Sequence, residues 1–350
     1  MQFKNIDFNW ELELKMQNTE SLLRVEELNY ELSGKIKDLF ENFRSRAVKD
    51  YKFEMAPLEF NDFRDSIKQS FLKGFVLFEE SVPKGFLLYF LEPSSAIELN
   101  LIHILDNENI NRKRKVLVQA LLDKYKDMTN WNVISYPLLG IQNSFIREIP
   151  QFGFKMVGQA IVRFKFTDRT SPLIFKNLII PSLQDRYYIE PWQEEYFGQA
   201  SEVIHEAFKD TADTKFDPRF LTLEGSKEIV HKIVSGQFGT FLPDATSVLM
   251  RDGNVEGICF VNMTNAIIAN IPLVGIKHTN MNKGFGKILL KNSVEKVIKM
   301  IINAKIMANE INATVETDNY PALRMYRKIG FREDITYPHA YLKNPIYTGK

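Results

Sequence analysis

The ten residues MNKGFGKILL, Met281 to Leu290, put two glycines one residue apart directly ahead of an apolar run. Glycine inside a helix costs roughly 0.5–1 kcal/mol relative to alanine, so the missing side chains must serve something else. Upstream, residues 265–276 read as a strand and 277–283 as a loop, and the run after the glycines has helical spacing. The amino end of a helix carries unsatisfied N–H groups and about half a positive charge. Successive N–H groups in such a turn bind phosphate. A Cβ at Gly284 or Gly286 would project toward an anion lying on this backbone, and Lys283, Lys287 and Lys291 would add mobile positive charge. The chemistry is that of a pyrophosphate cradle. The plainer reading is a helix whose glycines permit tight packing. The third glycine of the dinucleotide fingerprint and the GKS or GKT of a nucleoside-triphosphate loop are both absent.

A second stretch, ETDNYPALRMYRKIGF, runs from Glu316 to Phe331. Together the two stretches resemble the GNAT superfamily of acyl-CoA-dependent N-acetyltransferases. The family's first motif, V-x-V-x-P-x-x-R-x-x-G-x-G, aligns with Val274 to Gly286. Its second, N-x-x-A-x-x-x-Y-x-x-x-G-F, is matched by Asn319, Ala322, Tyr326, Gly330 and Phe331. Met281 stands where Arg or Gln is usual, and His278 where Pro is common. The resemblance covers roughly residues 186–345. It implies that the strand Val274, Gly275, Ile276 splays from its neighbour and bonds a pantetheine arm through the backbone of Val274 and Ile276. It further implies that Met281, Asn282, Lys283, Gly284, Phe285, Gly286 and Lys287 hold the pyrophosphate of acetyl-CoA. By the same resemblance Asn319 is expected to contact the pantetheine or cap the short helix, and Tyr326 to sit near the thioester sulfur as general acid.

The family's reaction is direct attack of an amine on acetyl-CoA. Holding two reactants together supplies ~7–11 kcal/mol. Deprotonating a lysine-like amine at pH 7 costs about 4.6 kcal/mol, an α-amine only about 1, so a base is expected. The central strand offers Asn265 and Asn270 but no carboxylate. Glu316, ending the next strand, is the nearest acidic candidate; a water chain is the alternative. His103, His205, His231 and His339 lack metal-ligand spacing and read as structural, as does Cys259 in GICFV. No metal site is expected.

Elements must position these residues. In the second half the sequence predicts a strand at 185–192, helices at 194–208 and 224–236, strands at 246–250, 257–263 and 265–276, a long helix after the glycines, a strand at 311–316, a short helix, and a closing strand pair from Phe331 to Leu342. The first half echoes this order: a hairpin, a strand at 96–105, a helix at 114–127, a strand, a short helix in NSFIREIPQFGF, and a last strand beginning after Gly153, close to half the chain before Gly330. The expected class is α/β (α+β), two tandem GNAT-like domains, each a mixed, mostly antiparallel central sheet flanked by helices. The first domain is 1–170, a linker 171–185, and the catalytic domain 186–350. The paired arrangement is similar to that of mycothiol synthase.

The first half lacks the chemistry. Aligning VQALL with GKILL puts NRKRKVLV (111–118) where the glycine loop belongs, with Val116 and Val118 at the cradle positions. The tyrosine position falls on Ile149 or Pro150. The basic cluster Arg112–Lys115 reads as a solvated helix start. One acetyl-CoA site per chain is therefore expected.

With 350 residues, 45 basic and 44 acidic, and a net charge of +1, nothing suggests nucleic acid or an anionic membrane. One cysteine suits a reducing compartment, the start shows no signal pattern, and the longest apolar run is too short for a bilayer. A soluble, cytoplasmic monomer or homodimer acting on a primary amine of a small molecule or peptide is the expectation. An acyl-CoA-binding regulatory module, or a different acyl or aminoacyl transferase on the same scaffold, is the alternative.

Overall fold

The computed structural model describes residues 22–54, 57–92, 95–105, 108–166 and 186–348; the expected linker 171–185 lies outside them. The first half contains β1 (Leu23–Glu27), α1 (Tyr30–Lys35), α2 (Lys37–Arg46), α3 (Phe60–Lys68), β2 (Lys73–Glu79), β3 (Val82–Leu91), β4 (Ala96–Ile104), α4 (Ile110–Tyr125), β5 (Val133–Pro137) and β6 (Lys155–Lys165). The second contains β7 (Tyr187–Pro191), α5 (Phe197–Phe208), α6 (Leu223–Val234), β8 (Thr240–Phe241), β9 (Ser247–Arg251), β10 (Asn254–Cys259), β11 (Asn262–Met263), β12 (Ile268–Asn270), β13 (Val274–Ile276), α7 (Phe285–Ile302), β14 (Glu310–Glu316), α8 (Tyr320–Ile329) and β15 (Arg332–Lys343).

Among these residues eleven strands form one sheet in the order β1-β2-β3-β4-β5-β15-β6-β14-β12-β11-β8. Four more, β13-β10-β9-β7, form a second sheet. Only β4–β5 and β12–β14 pair in parallel, so the architecture is mixed and mostly antiparallel. Apolar cores lie on the sheet faces, one of them packing α7 and α8 against β14 and β6 through Leu289, Val294, Leu323, Tyr326, Val315 and Phe164.

The halves exchange their last strands. β15 lies between β5 and β6, with Tyr341 opposite Ser135 and Lys155. β6 lies between β15 and β14, with Val162 opposite Ala313 and Glu333. The seam is pinned by Arg163, 12% exposed, which pairs with Glu310 and, at 2.8 Å, with Asp334. Asn344 adds bonds of 2.9 and 2.8 Å to the carbonyls of Met128 and Trp131. A lone first half would thus leave one edge of β5 and both edges of β6 unpaired. We expect residues 1–166 expressed alone to lack a cooperative thermal transition and to regain one when 186–350 is supplied in trans; a sharp melt of the isolated fragment would count against the exchange as a requirement for folding.

Several sequence expectations change. The closing strand pair is one strand, β15, bulged between Glu333 and Ile335. The stretch 265–276 is two strands in different sheets, and 257–263 divides likewise into β10 and β11. NSFIREIPQFGF forms two 3-10 turns, Gly140–Phe145 and Ile149–Phe152, because Pro150 cannot donate to a continuing helix. Helices α1 to α3 carry no chemistry-bearing motif and were absent from the pattern. Helix α4 starts at Ile110, so Val116 and Val118 lie inside it rather than in a loop. The counterpart of Gly284 is Asn109, also left-handed, at φ 51°. Nor is the basic cluster a solvated start: Lys113 and Arg114 are buried. Lys113 meets Glu79 at 3.2 Å, and Arg114 donates to Ser144 Oγ at 2.6 Å and to the Ile141 carbonyl at 3.3 Å.

Candidate active site

The split at 271–273 creates the site. Ile271 N–H still donates to the Asn312 carbonyl of β14 at 2.8 Å. Pro272 has no N–H to continue the ladder. Leu273 then accepts from Phe260 at 3.0 Å, and Lys277 donates to the Glu256 carbonyl at 3.1 Å, both on the β10 side. By strand alternation, Gly275 bonds toward Ile258 of β10, its register partner. Val274 and Ile276 turn their N–H and C=O the other way, into the opening between β13 and β14. Gly275 has a packing reason of its own: a Cβ there would meet Ile204 Cδ1 of α5 at 2.8 Å.

The loop after β13 is held from several sides. Asn280 is buried and accepts from Tyr187 Oη at 2.9 Å and from Lys283 Nζ at 2.8 Å, and its amide donates to Glu256. His278 N–H donates to Glu206 at 2.6 Å, and the Tyr187 ring lies 4.6 Å from that of Phe285. Gly284 is the N-cap of α7 at φ 84°, in the left-handed region, without a side-chain cap. Among the described residues no acceptor meets the N–H groups of Asn282, Lys283, Gly284, Phe285 or Gly286. A fixed row of unpaired donors at the positive end of an 18-residue helix suits a diphosphate.

Two details differ from the expectation. A Cβ at Gly286 would meet Met325 Sδ at 3.1 Å, so this glycine lets α8 approach, which is the packing reading; Gly284 keeps its conformational reason. The lysines are not all mobile charge: Lys283 is tied to Asn280, and Lys291 to Glu295 at 2.9 Å. Met281 is exposed.

Asn319 caps α8, its Oδ1 accepting from Ala322 N–H at 3.1 Å. Tyr326 is 5% exposed, edge-on to Phe331 at 5.1 Å, in the core cluster that holds Cys259 and abuts Val274. Burial raises the Tyr326 hydroxyl far above its ordinary value, with Cys259 adding to the shift, so the side chain stays protonated. Burial also pushes the Cys259 thiol up to about 12, leaving an inert neutral thiol. Glu316 is half-buried at the end of β14; burial raises its carboxyl, Lys215 lowers it and Asp213 raises it.

Beyond the opening lies a cavity of about 360 Å³ between β12–β13, β14, the exchanged strands and the 211–221 turns. Asn270, Thr314, Gln159, Asp213, Arg219 and His339 are among its lining residues. Glu316 is not. His339, read from sequence as structural, comes from β15 and stacks on Phe216 at 4.5 Å and 8°; strand exchange, invisible in a local pattern, brings it there. His205 is structural, meeting the Phe220 carbonyl at 3.1 Å. No group of metal-binding side chains occurs among the described residues, and no helix among them is long and apolar enough to cross a membrane.

The first half has the same opening, and it is filled. β4 pairs with β5 only through Ala96–Glu98. Beyond, the Ile102 N–H donates to Gln142 Oε1 at 3.0 Å, and Tyr136 Oη donates to the same oxygen at 2.8 Å. A buried side chain of the chain itself bonds the strand edge where β13 leaves its groups open.

No protein-family model matches the chain, and no curated protein does. Solved structures do. A tandem GNAT protein from the clavulanic acid biosynthesis pathway aligns over 92% of this chain and 99% of its own, at 12% identity and TM-score 0.59. A GCN5-related N-acetyltransferase from Sphaerobacter thermophilus aligns over 94% and 97%, at 13% identity and TM-score 0.63. A glucosamine N-acetyltransferase region of a fungal multidomain β-N-acetylglucosaminidase aligns over 93% of this chain and 38% of its own, at 11% identity and TM-score 0.61. Mycothiol synthase is not among these three. With two opened sheets in sequence and last strands shared between them, the chain has the tandem GNAT fold.

Proposed function

We propose that the protein is an acetyl-CoA-dependent N-acetyltransferase that acetylates a primary amine of a small molecule or peptide. The observation that carries this reading is the conjunction, on one side of one opening, of the outward backbone of Val274 and Ile276 with five unpaired N–H groups at the start of α7. Bound acetyl-CoA supplies an acetyl thioester. Val274 and Ile276 hold its pantetheine amides, and residues 282–286 hold its diphosphate. The tandem GNAT fold of its structural neighbours supports the same reading.

The amine enters from the cavity on the far side of the opening. Its nitrogen must be neutral to attack. Glu316, whose carboxyl is raised by burial, is the proposed base, acting directly or through water. Tyr326 keeps its proton at neutral pH and delivers it from Oη to the departing thiolate. The walls of α6 and the 211–221 turns limit water around the amine. The first-half opening, occupied by Gln142, takes no part.

The test is a titration followed by turnover. Acetyl-CoA is expected to bind at one site per chain, and addition of an accepted primary amine to release one free thiol per acetyl group transferred. Two equal sites would contradict the filled first half. Binding without thiol release, across a panel of amines, would instead make the protein an acyl-CoA sensor.

A further inference from the structure

We propose that the acceptor is an aliphatic amine carrying a second, positively charged amine, with the Asp213 carboxylate as the seat of that second charge; this rests on the transferase reading above. Asp213 lines the cavity. Its recorded side-chain partner is the neutral hydroxyl of Thr211, which donates to Oδ2 at 3.0 Å, and among the described residues it forms no ion pair. Burial raises its carboxyl. A half-buried carboxylate met only by neutral donors, the Thr211 hydroxyl and its own backbone N–H, is short of the positive partner that would offset its desolvation, and a ligand ammonium supplies one.

The surrounding charge points the same way. Arg219, the cation in the wall, is consumed: it grips Asp217 through Nε at 2.9 Å and Nη2 at 2.8 Å and reaches Glu228 at 3.3 Å and Glu92 at 3.6 Å. Lys232 is taken by Glu92 at 2.6 Å. Glu98, close to this group, is in no ion pair among the described residues, and burial raises its carboxyl. Glu316 stands near both Lys215 and Asp213. Of the cations here only Lys215 stands outside an ion pair among the described residues, and it lies beside Glu316, so carboxyls outnumber cations around the cavity.

A separate observation marks the cavity as a place for a polar ligand. His339 also lines the cavity, and its Nε2 is buried and among the described residues meets no donor or acceptor, which native structures seldom leave unexplained. Burial holds this imidazole neutral, its pKa down to about 4, so it adds no repulsive charge. The turn bearing Asp213 is fixed against β15 by the Phe216–His339 stack and by Lys343 Nζ donating to the Thr214 carbonyl at 3.1 Å. The carboxylate is therefore presented from a fixed support.

Three probes with the same four-carbon chain decide the matter: 1,4-diaminobutane, 1-aminobutane and 4-aminobutanoate. Each is titrated calorimetrically into the free protein and into protein loaded with coenzyme A. The diamine is expected to bind at least about tenfold more tightly than 1-aminobutane, and 4-aminobutanoate most weakly. Asp213→Asn is expected to bring the diamine within about twofold of 1-aminobutane while coenzyme A affinity stays unchanged. Equal binding of the three probes, or a diamine advantage that survives Asp213→Asn, would overturn the proposal. If Asp213→Asn does not melt cooperatively, the ranking on the unaltered protein at low and high salt decides instead: a charge-borne advantage shrinks with salt, and one that does not shrink refutes it. Failure of acetyl-CoA to bind would strike the transferase reading alone, since the ranking on free protein still reports on the cavity.

Discussion

Gly284→Asn is expected to weaken acetyl-CoA binding by about 10- to 100-fold, roughly 1.4–2.8 kcal/mol, with the thermal transition nearly unmoved. The residue sits at φ 84°, where most side chains are strained. Asparagine tolerates that region better than other non-glycine residues, and the chain already uses it so: Asn109 starts α4 at φ 51°. The substitution therefore keeps the helix start and adds a side chain among the unpaired N–H groups of residues 282–286, where it displaces or competes with a diphosphate. Calorimetry with acetyl-CoA and a melting curve of the same sample separate the two effects. Unchanged affinity in a folded variant would remove the cradle. Gly286→Ala makes a useful contrast, because its Cβ meets side chains alone, the flexible Met325 Sδ at 3.1 Å and Ile276 Cγ1 at 3.9 Å; a small loss of affinity is expected there.

The second large effect belongs to Tyr326→Phe. Turnover is expected to fall about 100-fold, the low end of what a positioned acid contributes, while acetyl-CoA affinity holds. Phenylalanine keeps the edge-on contact with Phe331 and the burial among Leu323 and Ile329. Among the described residues no donor or acceptor meets the tyrosine hydroxyl, so little stability is lost with it. Single-turnover measurement of thiol release, with the amine saturating, isolates the chemical step. A rate equal to that of the unaltered protein would leave Tyr326 as a core residue and turn attention to water as the proton source.

Local chemistry was legible in the linear string. The glycine pair at 284 and 286 and the Asn319 cap each follow from interactions within a few residues, and helix starts and caps are local events. That the chain consists of two similar halves was also legible, because Gly153 and Gly330 both end a turn in the left-handed region ahead of a long strand. A period-two pattern, by contrast, says that a segment is a strand but not which strand lies beside it. β6 and β15 could each have closed their own half, and only the packing of both halves together decides that they trade places. The same holds for the opening: residues 265–276 look like one strand until Pro272 and the competing edges of β10 and β14 divide it. The cavity needs Asp213 from a turn, Asn270 from β12, Gln159 from β6 and His339 from the exchanged β15. Its excess of carboxyls is hidden in a chain whose charges nearly cancel, since total charge is a property of composition and the local field a property of which side chains the fold brings together.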